Sequence, residues 1–263
     1  MKKQKTKVHF MDMDLINATN PIKVNLIGAG GTGSRVLKAL TDMNNCMVTL
    51  GHPGLEIYLW DDDIITEANL GRQDFALSEL GLYKSVALIN RANRWAGTNW
   101  KAETTKYDAQ SENACAGIFI SCVDNVATRF QIADALKNMD KRYYYRDRPR
   151  YWMDFGNSRY SGQVILSTVG DISQPRSNKY QTFPNLPFIT EEFGELLVES
   201  ENTDNTPSCS LGEALEQQDL YINSSLAQLG CSLLWKLFRS GMTEYRGLFL
   251  NLETYQSQNL KIA

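Results

Sequence analysis

The chain has no C-x-x-C pair, only two histidines and no long apolar run, and each shortage removes a class of function. A Ser-His-Asp or Cys-His hydrolase would have to recruit His9 or His52, and neither sits in a suggestive context. Without paired thiolates a tetrahedral zinc site has no obvious ligands, so structural zinc is not expected. The five cysteines, Cys46, Cys115, Cys122, Cys209 and Cys231, are odd in number and widely spaced, which fits a reducing compartment better than a disulfide scaffold. No stretch approaches the roughly 18 apolar residues of a membrane span. The lysine-rich start resembles a signal n-region, but no apolar region follows it, so the expected location is cytoplasmic, with no membrane partner. The balance of 27 basic against 30 acidic residues leaves no broad basic field for nucleic acid. What is present is average globular material: 263 residues, 43% hydrophobic and 22% charged, enough to bury a core without staples.

Repeats and low-complexity tracts are absent, and the order of elements is informative. Residues 22–28 form a β-rich run, followed by glycines and a helical pattern over 33–43. A loop over 44–54 leads to a second strand, 55–60, which ends in Asp61-Asp62-Asp63. A helix is expected over 78–95, a short strand over 101–105, a buried strand over 117–123 stopping at Asp124, and a helix over 125–139. Strands alternating with helices imply βαβ units and a mainly parallel sheet covered on both faces. Beyond Tyr143 the rhythm changes to two strands, 152–157 and 162–168, around a turn. A short helix near 191–198, a polar loop over 199–210, a broken helical region over 211–239 and a closing hairpin follow. The expected fold is α/β: a Rossmann-like, doubly wound, mainly parallel sheet with an antiparallel C-terminal extension. Residues 1–263 read as a single domain, with a nucleotide-binding half over 20–142 and a substrate-facing half over 143–263.

Gly28-Ala29-Gly30-Gly31-Thr32-Gly33 satisfies G-x-G-x-x-G, and it follows a strand and opens a helix, the context that motif requires. Its glycines suit a tight turn, a close phosphate and close helix packing, with the phosphate at the positive end of the helix dipole. The loop alone serves NAD, FAD and ATP equally. Asp61, ending the second strand, is placed to accept ribose hydroxyls, while Asp62 reads as a solvated turn residue. Arg72 offers a bidentate fork and Lys84 a point charge. Two cations converging on a phosphate loop suit the stabilisation of a triphosphate rather than hydride transfer. Asp124, at the carboxyl end of a central strand, could hold Mg²⁺ through oxygen.

These segments, G28-A-G-G-T-G-S34, D61-D-D-I-I-T-E-A-N69-L-G-R72-Q73, G81-L-Y-K84 and V123-D124-N125 followed by Arg129, resemble the ubiquitin-activating-enzyme-like family, the ThiF/MoeB group. The match runs in order across about half the chain. Asp154-Phe-Gly-Asn, Ser161-Gly-Gln-Val, Pro207-Ser-Cys-Ser-Leu and Ile222-Asn-Ser-Ser-Leu-Ala-Gln look closer still to the ThiF-family component of PRTRC systems. The resemblance implies ATP-dependent adenylation of the C-terminal carboxylate of a small ubiquitin-like, β-grasp protein, by a homodimer using ATP and Mg²⁺. It assigns Gly28, Gly30, Gly31 and Gly33 to the phosphates and Asp61 to the ribose, with Asp63, Asn69, Gln73 and Asn125 shaping the site. Arg72 and Lys84 would neutralise the triphosphate, and Asp124 would hold the metal. The alternatives are an NAD(P)-linked oxidoreductase on the same glycine loop and a catalytically silent scaffold of the same fold.

The chain departs from the family where paired zinc cysteines and an N-terminal arginine reaching into a partner's site would stand; residues 1–21 carry lysines and no arginine. Cys209 has two readings. It follows a polar loop and precedes a helix start, where related enzymes hold a thioester- or persulfide-forming cysteine, and where a thiolate is favoured; it is equally read as a plain loop residue. Cys122 and Cys231 lie in apolar runs and read as packing residues. The basic and aromatic residues of 142–150 read as a loop-to-strand segment, and Phe183, Phe188 and Phe193 as core.

Overall fold

A computed structural model describes residues 5–71, 73–139, 147–201 and 218–263, with side chains described to residue 199 in the third stretch. The strands are β1 (Thr6–Phe10), β2 (Ile22–Ile27), β3 (Leu55–Trp60), β4 (Lys101–Glu103), β5 (Ile118–Ser121), β6 (Tyr151–Asn157), β7 (Ser161–Thr168), β8 (Tyr180–Thr182), β9 (Met242–Thr243), β10 (Tyr245–Asn251) and β11 (Gln256–Lys261). The helices are α1 (Met13–Ile16), α2 (Gly31–Thr49), α3 (Lys84–Ala96), α4 (Val126–Met139), α5 (Ile189–Glu192), α6 (Gly194–Glu201) and α7 (Ile222–Ser240). Among the described residues no helix is long and apolar enough to cross a membrane.

Eight strands form one sheet in the order β11-β10-β7-β6-β5-β2-β3-β4. The five strands β4, β3, β2, β5 and β6 run parallel, and β7, β10 and β11 add on as antiparallel neighbours. This is the expected doubly wound sheet with its antiparallel extension. Ile118 and Ile120 face a core shared with Val36, Leu40, Leu88 and Leu234, which places α2, α3 and α7 on one face. Phe119, between them, faces Ile132, Leu136, Phe188 and Leu197, which places α4, α5 and α6 on the other. A strand buried on both faces reads as a continuous apolar run, and β5 does.

Several boundaries differ from expectation. The loop expected over 44–54 is mostly helix, since α2 continues to Thr49. Asn44, polar yet buried, accepts the Leu55 N–H at 2.8 Å and so ties that extension to the start of β3. The expected helix over 78–95 begins at Lys84, after a short helical turn at Leu77–Glu79. A second small sheet, β8-β1-β9, was not foreseen, because its strands lie far apart in the chain. Phe188 packs edge-on against Trp152, with ring centroids 5.0 Å apart, as core. Arg150 ends the segment over 142–150 buried, paired with Asp12 at 2.9 Å and Asp14 at 3.3 Å; residues 142–146 lie outside the described residues. Cys231 is buried, and burial pushes its thiol up to about 12; burial raises the Cys122 thiol as well.

Candidate functional site

The sheet places the site. β2 lies between β3 on one side and β5 on the other, so the chain changes direction across the sheet at β2 and opens a crevice at the carboxyl ends of these strands. Ligands of open α/β sheets bind at such a switch point. The glycine turn after β2, the aspartates after β3 and Asp124 after β5 all stand along that edge.

Gly28 adopts φ +95°, and a Cβ there would lie 2.6 Å from the Cys122 carbonyl oxygen, so no other residue fits without strain. Gly33 lets α2 approach the turn, because a Cβ there would come within 1.9 Å of Gly28 O. Gly30 differs: a Cβ would meet nothing within 4 Å, and the space beside it is open. Gly30 caps α2 with no side-chain bond. The first intrahelical backbone bond runs from Ser34 N–H to Gly30 O at 3.0 Å, leaving the N–H groups of Gly31, Thr32 and Gly33 without acceptors among the described residues. N–H groups without acceptors at the positive end of a 19-residue helix suit an anion.

Asp61 is held by the main chain. Its Oδ2 accepts the Ala29 N–H at 2.6 Å and its Oδ1 the Asp63 N–H at 3.0 Å. Burial raises its carboxyl pKa, opposed by the Ala29 N–H and by the charge of Lys84. The Ser85 hydroxyl donates to Asp61 O at 3.0 Å, locking the end of β3 to the start of α3. Lys84 runs through the protein with its side chain 9% exposed and ends on Asp63 Oδ2 at 2.7 Å. Asp62 is exposed.

Asn69 caps a short turn, Glu67–Asn69, accepting from Thr66 N–H at 2.9 Å. Gln73 is buried, and its Oε1 has no hydrogen-bond partner among the described residues. A buried acceptor without a donor is costly. Arg72 and Cys209 lie outside the described residues.

Asp124 is exposed and, among the described residues, receives one bond, from Asn125 Nδ2 at 3.2 Å. Asn125 Oδ1 accepts the Thr128 N–H at 2.7 Å and so caps the start of α4. No group of three or more His, Cys, Asp or Glu gathers among the described residues. Mg²⁺ is commonly bound through one or two carboxylates plus substrate phosphates, a role for which a single carboxylate is enough.

The sequence reading missed a polar knot on the other side of the turn. Asn223, buried on α7, accepts from the Thr32 hydroxyl at 2.7 Å and from Asn157 Nδ2 at 3.1 Å, and donates to Gln218 Oε1 at 2.9 Å. It ties the glycine turn to the end of β6. A signal was available: Asn223 shares the helical face of Leu226, Ala227, Gly230 and Leu234, where an apolar residue is expected.

The sequence model of the ThiF family matches residues 3–261. No curated protein matches the chain. Among solved structures the fold is similar to that of PaaA, with a TM-score of 0.59 at 14% identity over 95% of this chain and 75% of that one. It is similar to MccB of E. coli, with a TM-score of 0.59 at 16% identity over 95% of this chain and 64% of MccB. MccB crystallised with AMPCPP and MccA aligns at a TM-score of 0.58 and 17% identity, over 95% of this chain and 66% of MccB. The chain thus spans about two thirds of the length of MccB.

Proposed function

Because the chain belongs to the ThiF family, we propose that it is an ATP-dependent adenylyltransferase that activates a substrate carboxylate. The observation that carries this reading is the open space at Gly30, beside the start of α2, whose first N–H groups lack acceptors among the described residues, with Asp61 and Asp124 on the same sheet edge and Lys84 at the start of α3. The turn at 28–33 takes the phosphates on its backbone N–H groups. Asp61, fixed through both oxygens by main-chain N–H groups, keeps its remaining lone pairs for ribose hydroxyls. Asp63 aims Lys84, whose charge offsets that of the phosphates, and Arg72 adds a second cation. Asn69 shapes the turn beside them, and Gln73 Oε1 accepts a hydrogen bond from the bound nucleotide. Asp124 would hold Mg²⁺, which when bound would offset the charge of the phosphates.

The reaction joins two anions. A carboxylate oxygen of the substrate attacks the α-phosphorus, forming the acyl–phosphate bond as the bond to the leaving pyrophosphate breaks. Fixed N–H dipoles and Lys84 need no reorganisation as charge shifts onto the leaving group. The acyl substrate proposed is the C-terminus of a small ubiquitin-like protein, and the acting species a homodimer. Cys209 is the candidate for any thioester that follows; a Cys209→Ser variant that still adenylates but forms no reducible thioester supports the role, and a thioester surviving the change removes it. The neighbour MccB, solved with AMPCPP and MccA, supports a site for a nucleotide and a polypeptide together.

The test is exchange of labelled pyrophosphate into ATP in the presence of candidate ubiquitin-like proteins. Substrate-dependent exchange is the expected result. Protection of the fold by NAD but not by ATP defeats the reading.

A further inference from the structure

Arg129, on α4, and Asp154, on β6, form a buried pair with side chains 6% and 1% exposed, Nε lying 3.1 Å from Oδ2. Ser121, the last residue of β5, donates its hydroxyl to Asp154 Oδ1 at 2.5 Å, and Trp152 Nε1 donates to that same hydroxyl at 2.8 Å. The far end of Arg129 reaches main chain: Nη2 donates to Val123 O at 2.6 Å and to Phe155 O at 3.0 Å. Gly156 leaves room for this, since a Cβ there would lie 3.1 Å from Nη2.

Packing alone does not account for this arrangement. A buried ion pair offers little stability over apolar side chains of the same volume. An apolar side chain would, however, leave Val123 O without its donor. Val123 stands two residues beyond the end of β5, where the chain leaves the sheet, and immediately before Asp124. Asp124 itself is exposed, and among the described residues its side chain is bonded by its neighbour Asn125 alone, so within them its position depends on the backbone that carries it.

We propose that Arg129 and Asp154 are positioning residues that act through Val123 O to hold the Val123–Asp124 step, and hence the Asp124 carboxylate, against the phosphate crevice. This rests on the reading of Asp124 as the Mg²⁺ ligand. Groups that orient a metal ligand typically change metal affinity by about 10- to 100-fold when altered.

The experiment measures ATP affinity by calorimetry, with Mg²⁺ and with EDTA, alongside thermal unfolding, in the intact protein. Asp154→Asn and Arg129→Lys are expected to cut the Mg²⁺-dependent gain in ATP affinity about tenfold while leaving affinity in EDTA unchanged. In an Asp124→Ala background Asp154→Asn should change the gain no further, because the pair acts through that residue. Should either variant fail to fold, Ser121→Ala removes one donor to Asp154 and should show a smaller loss of the same kind. A lowered unfolding temperature with the Mg²⁺ gain intact, or losses that add to those of Asp124→Ala, overturns the proposal. A wild-type protein that binds no ATP overturns the proposed function, and this inference with it.

Discussion

Replacing Gly30 by alanine adds a methyl group that the folded chain can accommodate, because a Cβ built there meets nothing within 4 Å. The backbone at Gly30, φ −74°, suits alanine too. The folding cost is then the loss of a tolerated N-cap glycine, about 1 kcal/mol or less, or roughly 2–4 °C in Tm for a chain of this size. A phosphate against the free N–H groups of α2 would occupy the same open space. ATP affinity should therefore fall at least about tenfold, equivalent to about 1.4 kcal/mol. Gly33→Ala is the contrast. Its Cβ would stand 1.9 Å from Gly28 O, so turn and helix must part by about 1 Å, at a cost of about 1–3 kcal/mol or more. The assay is paired: thermal unfolding without ligand, and ATP binding by calorimetry. Gly30→Ala should lose no more than about 2–4 °C in Tm while losing ATP, whereas Gly33→Ala should lose ATP and more of its Tm. A Gly30→Ala protein that binds ATP as tightly as wild type refutes the placement of the phosphates.

Lys84→Met keeps the stem in its buried slot and leaves the 66%-exposed side chain of Asp63 to water, so unfolding should move by about 1 kcal/mol or less, while ATP weakens more than AMP; equal losses count against a triphosphate role. Gly230→Ala on α7 would put a Cβ 2.4 Å from the Phe155 ring and should destabilise by about 1–3 kcal/mol in denaturant unfolding, and an unchanged midpoint contradicts this packing. His9 is wholly buried, its Nδ1 donating to Phe183 O at 2.7 Å and its Nε2 accepting from the Tyr151 hydroxyl at 2.9 Å; that hydroxyl accepts the Asp12 N–H at 3.0 Å, and Arg150 pairs with Asp12 and Asp14. Burial lowers its pKa, so the unfolded chain takes up the proton first: this contribution is complete above about pH 6.5 and shrinks as pH falls below it. Thermal unfolding between pH 7.5 and 5 should show a loss that a His9→Gln variant lacks, and parallel profiles would exclude His9 as its source.

The parallel core of the sheet, the glycine turn and the aspartates after β3 were legible in the sequence because each depends on residues close together in the chain. A buried strand is an apolar run, a turn needs glycines at set spacings, and a helix repeats every 3.6 residues. Their gathering followed from topology, since strands of a βαβ sheet point the same way and bring their carboxyl ends to one edge. The small sheet of β1, β8 and β9 was not legible: Thr6 pairs with Tyr180, and nothing local in a five-residue strand announces so distant a partner. The same holds for Asn223 and Asp154, polar residues whose partners Thr32 and Arg129 lie on other elements. Side-chain networks of this kind are decided by which elements pack together, and a buried polar group reveals its purpose only when its partner is in place. Composition and spacing determined a nucleotide-type α/β sheet with charged residues at its rim. Tertiary packing decided that Lys84 leans on Asp63, that Gln73 is buried with no donor to its Oε1 among the described residues, and that a buried Arg129 grips the main chain beside Asp124.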